Sequence, residues 1–258
     1  MSVNEIVLLL VSGVIVGIIN TLGGGGSVIT MSLFMAMGMP IGIANGTNRI
    51  AVLLQNLSAT VSFLRKGMLH LRSGVLLSIP AIVGNIFGAL VATEVSESVF
   101  KICLSAVLAI ILIYLILGKD KQQVSGGHGL NIKWWHYVWF FIIGFYGGYI
   151  YIGLGFLILA ITIWSMDLDI VTANVIKGFV IFLSTPFALA VFIYNGQVEW
   201  MAGLLHGAGN IVGAVMASHW AMNWGVKFVR WFTLFIIVVF FIDLMGWISL
   251  QTILSQLL

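Results

Sequence analysis

The sequence predicts an all-α polytopic membrane protein, an inverted repeat of five plus five hydrophobic segments whose first two segments in each half are broken or re-entrant, giving 8 to 10 spans. Three observations carry that expectation. Among 258 residues eleven are Lys or Arg and eight are Asp or Glu, and 7 % charge cannot cover a water-facing surface when a soluble domain carries about 25 %. Apolar runs recur along the whole length, with 61 % hydrophobic residues and a mean hydropathy of +1.15. The charges in equivalent loops change sign between the two halves.

The first segment runs from Glu5 to Leu22. The Met-Ser-Val-Asn-Glu start lacks a positive n-region and a small-residue cleavage site, so this segment is expected to stay in the mature protein. Gly23-Gly-Gly-Gly26 interrupts the apolar stretch, and Ser27 to Met37 follows. That second segment reaches only about 16 Å as a helix, half a bilayer. Ala44 to Leu64, Gly74 to Thr93 and Ser98 to Leu117 complete the first half. Ile102 to Leu117 is apolar on every face, which excludes the alternation of a β-barrel strand. Gly118 to Lys133 is a polar linker. The second half then reads Trp134 to Tyr146, Tyr149 to Met166, Val171 to Tyr194, Gly203 to Ala221 and Val226 to Ile248. The predicted organisation is a first repeat over 1–117, a cytoplasmic linker over 118–133 and a second, inverted repeat over 134–258.

The duplication shows in register. Gly67-Met-Leu-His-Leu-Arg-Ser-Gly74 followed by Gly84 recurs 129 residues later as Gly196-Gln-Val-Glu-Trp-Met-Ala-Gly203 followed by Gly213. Ala44-Asn45 recurs as Ala173-Asn174 at that offset, and Gly17 pairs with Gly144 at 127. Cytoplasmic loops carry the excess of Lys and Arg. Arg65, Lys66 and Arg72 place the third loop inside, as Lys119, Lys121 and Lys133 do the linker, while Glu94, Glu97 and Lys101 lie between them, outside. In the second half the third loop carries Glu199 and the next carries Lys227 and Arg230. Equivalent loops then lie on opposite faces, so each half has an odd number of segments and both termini are outside.

The composition leaves little room for a soluble enzyme. A pI of 9.1 suggests no nucleic-acid partner, because the basic residues sit in short loops where they set topology. Cys103 is alone and reads as a small apolar residue. No Ser-His-Asp order, metal-ligand cluster, Walker motif or haem motif appears, so neither catalytic residues, metal nor cofactor is expected.

The candidate transport site lies at the glycine breaks. Gly23, Gly24, Gly25 and Gly26 with Ser27 expose backbone N–H groups at a helix start, where the dipole attracts an anion. The second-half counterpart is Gly147-Gly148 with Gly153-Leu154-Gly155. Close helix packing is the alternative use of such glycines and explains most of the 30 in the chain. Asn45, Thr47, Asn48 and Arg49 correspond to Asn174, Ile176, Lys177 and Gly178, so each half offers an amide and one cation near the start of its third segment. Arg49 and Lys177 are read either as anion ligands or as residues snorkelling to the headgroups, Arg49 lying near Pro40 and Gly46 in what resembles a loop. His206 and Asn210 share a face of the ninth segment. A histidine there can bind substrate or relay protons, though more often it donates a hydrogen bond to a neighbouring helix. Asn20, Gln55, Asn56, Ser58, Ser184 and Thr185 are further lining candidates, and Tyr146, Tyr149 and Tyr151 flank the second break. Trp134, Trp135 and Trp139 read as an interfacial belt. Asp167 and Asp169 read as turn caps.

The stretches Gly17-Ile-Ile-Asn-Thr-Leu-Gly-Gly-Gly-Gly26-Ser27, Gly38-Met-Pro40 and Ile43-Ala-Asn-Gly-Thr47-Asn48, with a related second half, resemble the sulfite exporter TauE/SafE family. The resemblance covers nearly the whole chain. It implies a bacterial inner-membrane carrier for small sulfur-containing anions such as sulfite, sulfoacetate or related organosulfonates, working without ATP. The second half departs from the first, its Gly run diluted by Tyr149, Ile150, Tyr151 and Ile152 and Asn48 replaced by Lys177, so a substrate other than sulfite stays open. The expectation is alternating access between the halves, with His206 the one obvious titrating group for a coupled proton or cation. A passive anion channel and a membrane scaffold are the alternatives, and a homodimer in the lipid bilayer is open.

Overall fold

The computed structural model describes residues 1–22, 25–69, 71–117 and 132–220, with 238–239, 242, 246–249 and 252. Gly23, Gly24, most of the linker with Lys119 and Lys121, and most of the tenth segment with Lys227 and Arg230 lie outside the described residues. The described residues form nine α-helices: α1 Val3–Leu22, α2 Ser27–Ala36, α3 Ile41–Arg65, α4 Leu71–Glu94, α5 Glu97–Leu117, α6 Trp134–Tyr149, α7 Leu154–Trp164, α8 Ile170–Tyr194 and α9 Trp200–Trp220. Four of them, α1, α4, α8 and α9, are long and apolar enough to cross a membrane. With ten and eleven residues, α2 and α7 reach only about half way across.

Two boundaries differ from the sequence expectation. α3 begins at Ile41, directly after Pro40, whose fixed φ of −54° starts the helix. Asn45 to Arg49 therefore lie on helix rather than in a loop. In the second half α6 runs through Gly147 and Gly148 to Tyr149, and the chain turns instead at Tyr151 (φ 70°) and Gly153 (φ 74°). Tyr146 holds this turn, its hydroxyl donating to Ile152 O and its carbonyl accepting from Ile150 N at 2.9 Å and Tyr151 N at 3.2 Å. The seventh segment, read as Tyr149 to Met166, is thereby shortened to the eleven helical residues of α7.

Lipid tails are as apolar as leucine, so helices associate in a membrane by close van der Waals approach, which favours small residues. The main pairings follow that rule. α4 packs on α6 and α1 on α9, while α3 contacts both α8 and α9, and α8 also contacts α4. A Cβ at Gly84 would overlap Phe141 O, and one at Gly88 would overlap Phe145 O. Gly213 faces Val14 O and Gly17 faces Asn210 O in the same way. Residue numbers rise together along both seams, so both pairs are parallel. Moving the first segment by 127 and the fourth by 129 turns the contact of Gly213 with Val14 and Ile18 into that of Gly84 with Phe141 and Phe145. It likewise turns Gly17 on Asn210 into Gly144 on Ala81. The outward side of α4 exposes Leu71, Val75, Ile79, Val83, Phe87 and Leu90, an apolar stripe at helical spacing that suits lipid.

Candidate functional site

α3 buries Asn45, Thr47, Asn48, Arg49, Gln55 and Asn56 inside an apolar bundle. Asn45, Arg49 and Asn56 recur at helical spacing and share one face. Polar groups facing hydrocarbon are costly, so this face turns inward, toward the two breaks.

At the second break Arg49 is fully buried. Its Nη1 donates to Gly147 O at 2.5 Å, and its Nη2 donates to Gly148 O at 3.0 Å and to Asn45 Oδ1 at 2.9 Å. Asn45 Nδ2 donates in turn to Tyr149 O at 2.8 Å. The guanidinium carbon lies 4.8 Å from the Tyr151 ring centroid and 5.4 Å from that of Phe192, close enough for cation–π attraction. The last turn of α6 leaves carbonyls without helical partners and forms its negative pole. Arg49 and Asn45 satisfy three consecutive ones from the opposite half of the chain.

The first break repeats the scheme with other residues. Lys177 Nζ donates to Asn174 Oδ1 at 2.7 Å and to Asn20 O, in the last turn of α1, at 3.3 Å. Asn20 Oδ1 accepts from Gly26 N at 2.7 Å, and Asn20 Nδ2 donates to Gln55 Oε1 at 3.1 Å. By the two offsets Asn20 corresponds to Gly147 and Asn174 to Asn45, whereas Lys177 corresponds to Asn48 and Arg49 to Gly178. The cations thus come from neighbouring helix positions yet reach equivalent carbonyls. Among the described residues neither has a carboxylate partner; the one ion pair there is the exposed Lys101–Glu97. Ser27 Oγ, Asn48 Nδ2 and Arg49 Nε are buried without hydrogen-bond partners. Among the described residues these two cations lie beside amide and hydroxyl groups and meet no carboxylate, a chemistry that suits an anion.

The remaining candidates are dispersed. Thr47 Oγ1 accepts from Glu199 N at 2.9 Å and ties α3 to the start of α9. His206 is fully buried between α1, α2 and α9. Its Nδ1 lies 3.2 Å from Leu9 O and from Ser12 Oγ, and its Nε2 lies 2.9 Å from Thr30 Oγ1. Leu9 O only accepts, which assigns the proton to Nδ1 and leaves Nε2 to accept from Thr30. Asn210 Nδ2 donates back to His206 O at 2.9 Å. The Tyr149 ring packs edge-on against Phe100, while the guanidinium of Arg49 lies over the Tyr151 ring. Gly25 and Gly26 are buried. Asp169 caps α8, accepting from Val171 N, Thr172 N and Thr172 Oγ1, and these bonds, that with the threonine hydroxyl foremost, hold its carboxyl below the usual carboxylate range. Asp167 sits in the preceding turn at φ 52°.

Two contributors escape a reading of the sequence. Phe192 covers Arg49, but nothing marks it among 17 phenylalanines. His136 joins the start of α6 to the end of α7: its Nδ1 accepts from Lys133 N at 3.0 Å and its Nε2 lies 3.1 Å from Ser165 Oγ. Its place three residues after Lys133, at a helix start, is the available signal.

Residues 9–244 match the family model described as Sulfite exporter TauE/SafE. The "Probable membrane transporter protein ORF9" of a Sinorhizobium species is 30 % identical over 222 residues, 86 % of this chain and 85 % of that protein. A "Probable membrane transporter protein" of Haemophilus influenzae is 25 % identical over 229 residues, 89 % of this chain and 90 % of its own. The Escherichia coli protein YfcA, with the same description, is 27 % identical over 230 residues, 83 % and 80 % of the two chains. No solved structure matches. With its apolar helices, the chain is accordingly a multi-pass membrane protein of transporter type.

Proposed function

This chain belongs to the sulfite exporter TauE/SafE family, and we propose that it is a secondary transporter of small sulfur-containing anions such as sulfite, sulfoacetate or related organosulfonates. The observation that carries the reading is the pair of buried cations, Arg49 and Lys177, each set at a helix end beside a glycine break and neither facing a carboxylate. Buried intramembrane charge is costly and is retained where it serves function. Transport proceeds by alternating access between two inverted repeats, 1–117 and 134–258, joined by a cytoplasmic linker over 118–133. The reciprocal seams, first segment of each half on the fourth of the other, support that duplication.

In this reading the protein resides in the bacterial inner membrane with both termini periplasmic and acts as a permease rather than an enzyme. Expulsion of an anion from a cell that is negative inside is downhill by about 2.3 kcal/mol per charge per 100 mV, so export needs no further energy source. Uptake would require a coupled proton or cation, and a homodimer fits the small size of the unit.

The test is thermal stabilisation of the purified, detergent-solubilised protein by sulfite, thiosulfate, sulfate, sulfoacetate, taurine, phosphate and chloride, since a ligand of the folded state raises its melting temperature. A selective rise with sulfite or a sulfonate, lost in Lys177→Met, is expected. No rise with any anion overturns the substrate class. Flux into proteoliposomes that fails to saturate would replace the carrier by a channel.

A further inference from the structure

We propose that the side-chain amide of Asn20 is an internal stand-in for a substrate oxygen, displaced from the start of α2 when an anion binds. The inference rests on the anion-site reading above and assigns a role within it. Gly26 N, immediately before the first residue of α2, donates at 2.7 Å to the Asn20 Oδ1 six residues upstream. The acceptor at the positive end of α2 is therefore a neutral amide delivered from the end of α1.

The start of α2 and the neighbouring Asn20 carry donors whose capacity is not filled. Ser27, the first residue of α2, is 1 % exposed, and its Oγ has no hydrogen-bond partner. The capping residue, Gly26, has no side chain with which to cap the helix. Lys177 Nζ reaches the backbone oxygen of the same Asn20, with two of its three donors engaged and no carboxylate partner among the described residues. An ionised acceptor makes hydrogen bonds about twice as strong as a neutral one. An oxyanion with two or more oxygens would thus outcompete the single amide oxygen for Gly26 N–H and would add bonds from Ser27 Oγ–H and the third Lys177 Nζ–H. Gly26 permits the close approach: a Cβ there would lie 2.9 Å from Asn20 Oδ1.

The second break has no such device. The counterpart of Asn20 is Gly147, and two of the three acceptors held by Arg49 there are backbone carbonyls, which no side-chain rotation can remove; the third, Asn45 Oδ1, comes from the arginine's own helix α3. The site is accordingly single, with one anion per chain at the first break.

Sulfite titrations of the full-length protein by calorimetry test this on Asn20→Ala and Asn20→Asp. Asn20→Ala removes the internal competitor and is expected to bind sulfite roughly fivefold more tightly, as loss of one neutral hydrogen bond implies, with one site per chain. Asn20→Asp places a fixed carboxylate on the same donors and is expected to abolish sulfite binding while raising the melting temperature without anion. Weaker binding by Asn20→Ala overturns the stand-in role and makes Asn20 a direct ligand, with the site itself standing. An Asn20→Asp chain that still binds sulfite, or melts lower than the parent, also overturns it, even if the alanine variant fails to fold. Absence of sulfite and sulfoacetate binding in the parent chain removes the site reading, and this inference with it.

Discussion

The two breaks present the same problem, a helix end whose carbonyls lack partners in an apolar bundle, and the chain answers it with different cations. At the second break Arg49 bridges Gly147 O and Gly148 O and is stacked by Tyr151 and Phe192. A guanidinium is planar, forked and weakly hydrated, which suits it to bind several fixed acceptors at once. At the first break Lys177 brings a compact ammonium on a flexible stem to Asn174 and Asn20, with one donor to spare. Under the proposed function this is a division of labour, with the arginine break as a structural clamp and the lysine break as the side that rearranges around an anion.

The largest expected effect tests that division. Arg49→Met would leave Gly147 O, Gly148 O and Asn45 Oδ1 without the donor they share, at about 1–3 kcal/mol per unsatisfied buried group. Thermal unfolding in detergent should show a loss of several kcal/mol, with Arg49→Lys restoring only part. Lys177→Met removes contacts to two acceptors where Arg49→Met removes three, so it should fold, lose less than Arg49→Met and lose its response to anions. Equal destabilisation by the two methionine variants would break the comparison.

The seams sharpen it next. Gly84→Ala and Gly213→Ala press a methyl onto Phe141 O and Val14 O at repeat-equivalent positions. Each should cost about 1–3 kcal/mol by overpacking. Losses that differ by more than twofold would show the two seams to be energetically unlike.

The smallest effect concerns the helix starts after each short helix. Pro40 begins α3 by its ring alone, and its counterpart 129 residues on, Asp169, begins α8 with a carboxylate. Asp169→Ala should cost about 1 kcal/mol at neutral pH. Its carboxyl titrates below the usual carboxylate range, so the stabilisation is complete above that range and disappears as pH falls through the lower, folded value. The melting curves of parent and variant should therefore converge only in strong acid; a gap that closes near neutral pH would remove the cap from the account.

Much of this architecture is legible in composition and register. The apolar segments fall within a few residues of every helix but α7, because a lipid-facing helix has to be apolar along its length. The polar face of α3 is visible as Asn45, Arg49 and Asn56 at helical spacing. The role of each glycine is not. Gly147 and Gly148 look like a break, yet α6 passes through them because the bare backbone at Gly148 meets Asn85 O of α4. Nor does spacing distinguish Arg49 as a snorkelling residue in a loop from Arg49 as a buried clamp, since its acceptors lie 98 and 99 residues away.

Hydropathy and repeat spacing alone tell that this chain enters a membrane, roughly where most of its helices run, that its halves match in register and that amides, hydroxyls and cations are among its intramembrane polar groups. These are local properties, written in hydropathy and repeat spacing. Which carbonyls each cation meets, that the second turn falls at Tyr151 and Gly153, and that Asn20 Oδ1 faces the start of α2 are settled by how the helices pack. Those outcomes depend on backbone groups from distant segments coming within hydrogen-bonding distance, and a one-dimensional pattern carries no distance between them.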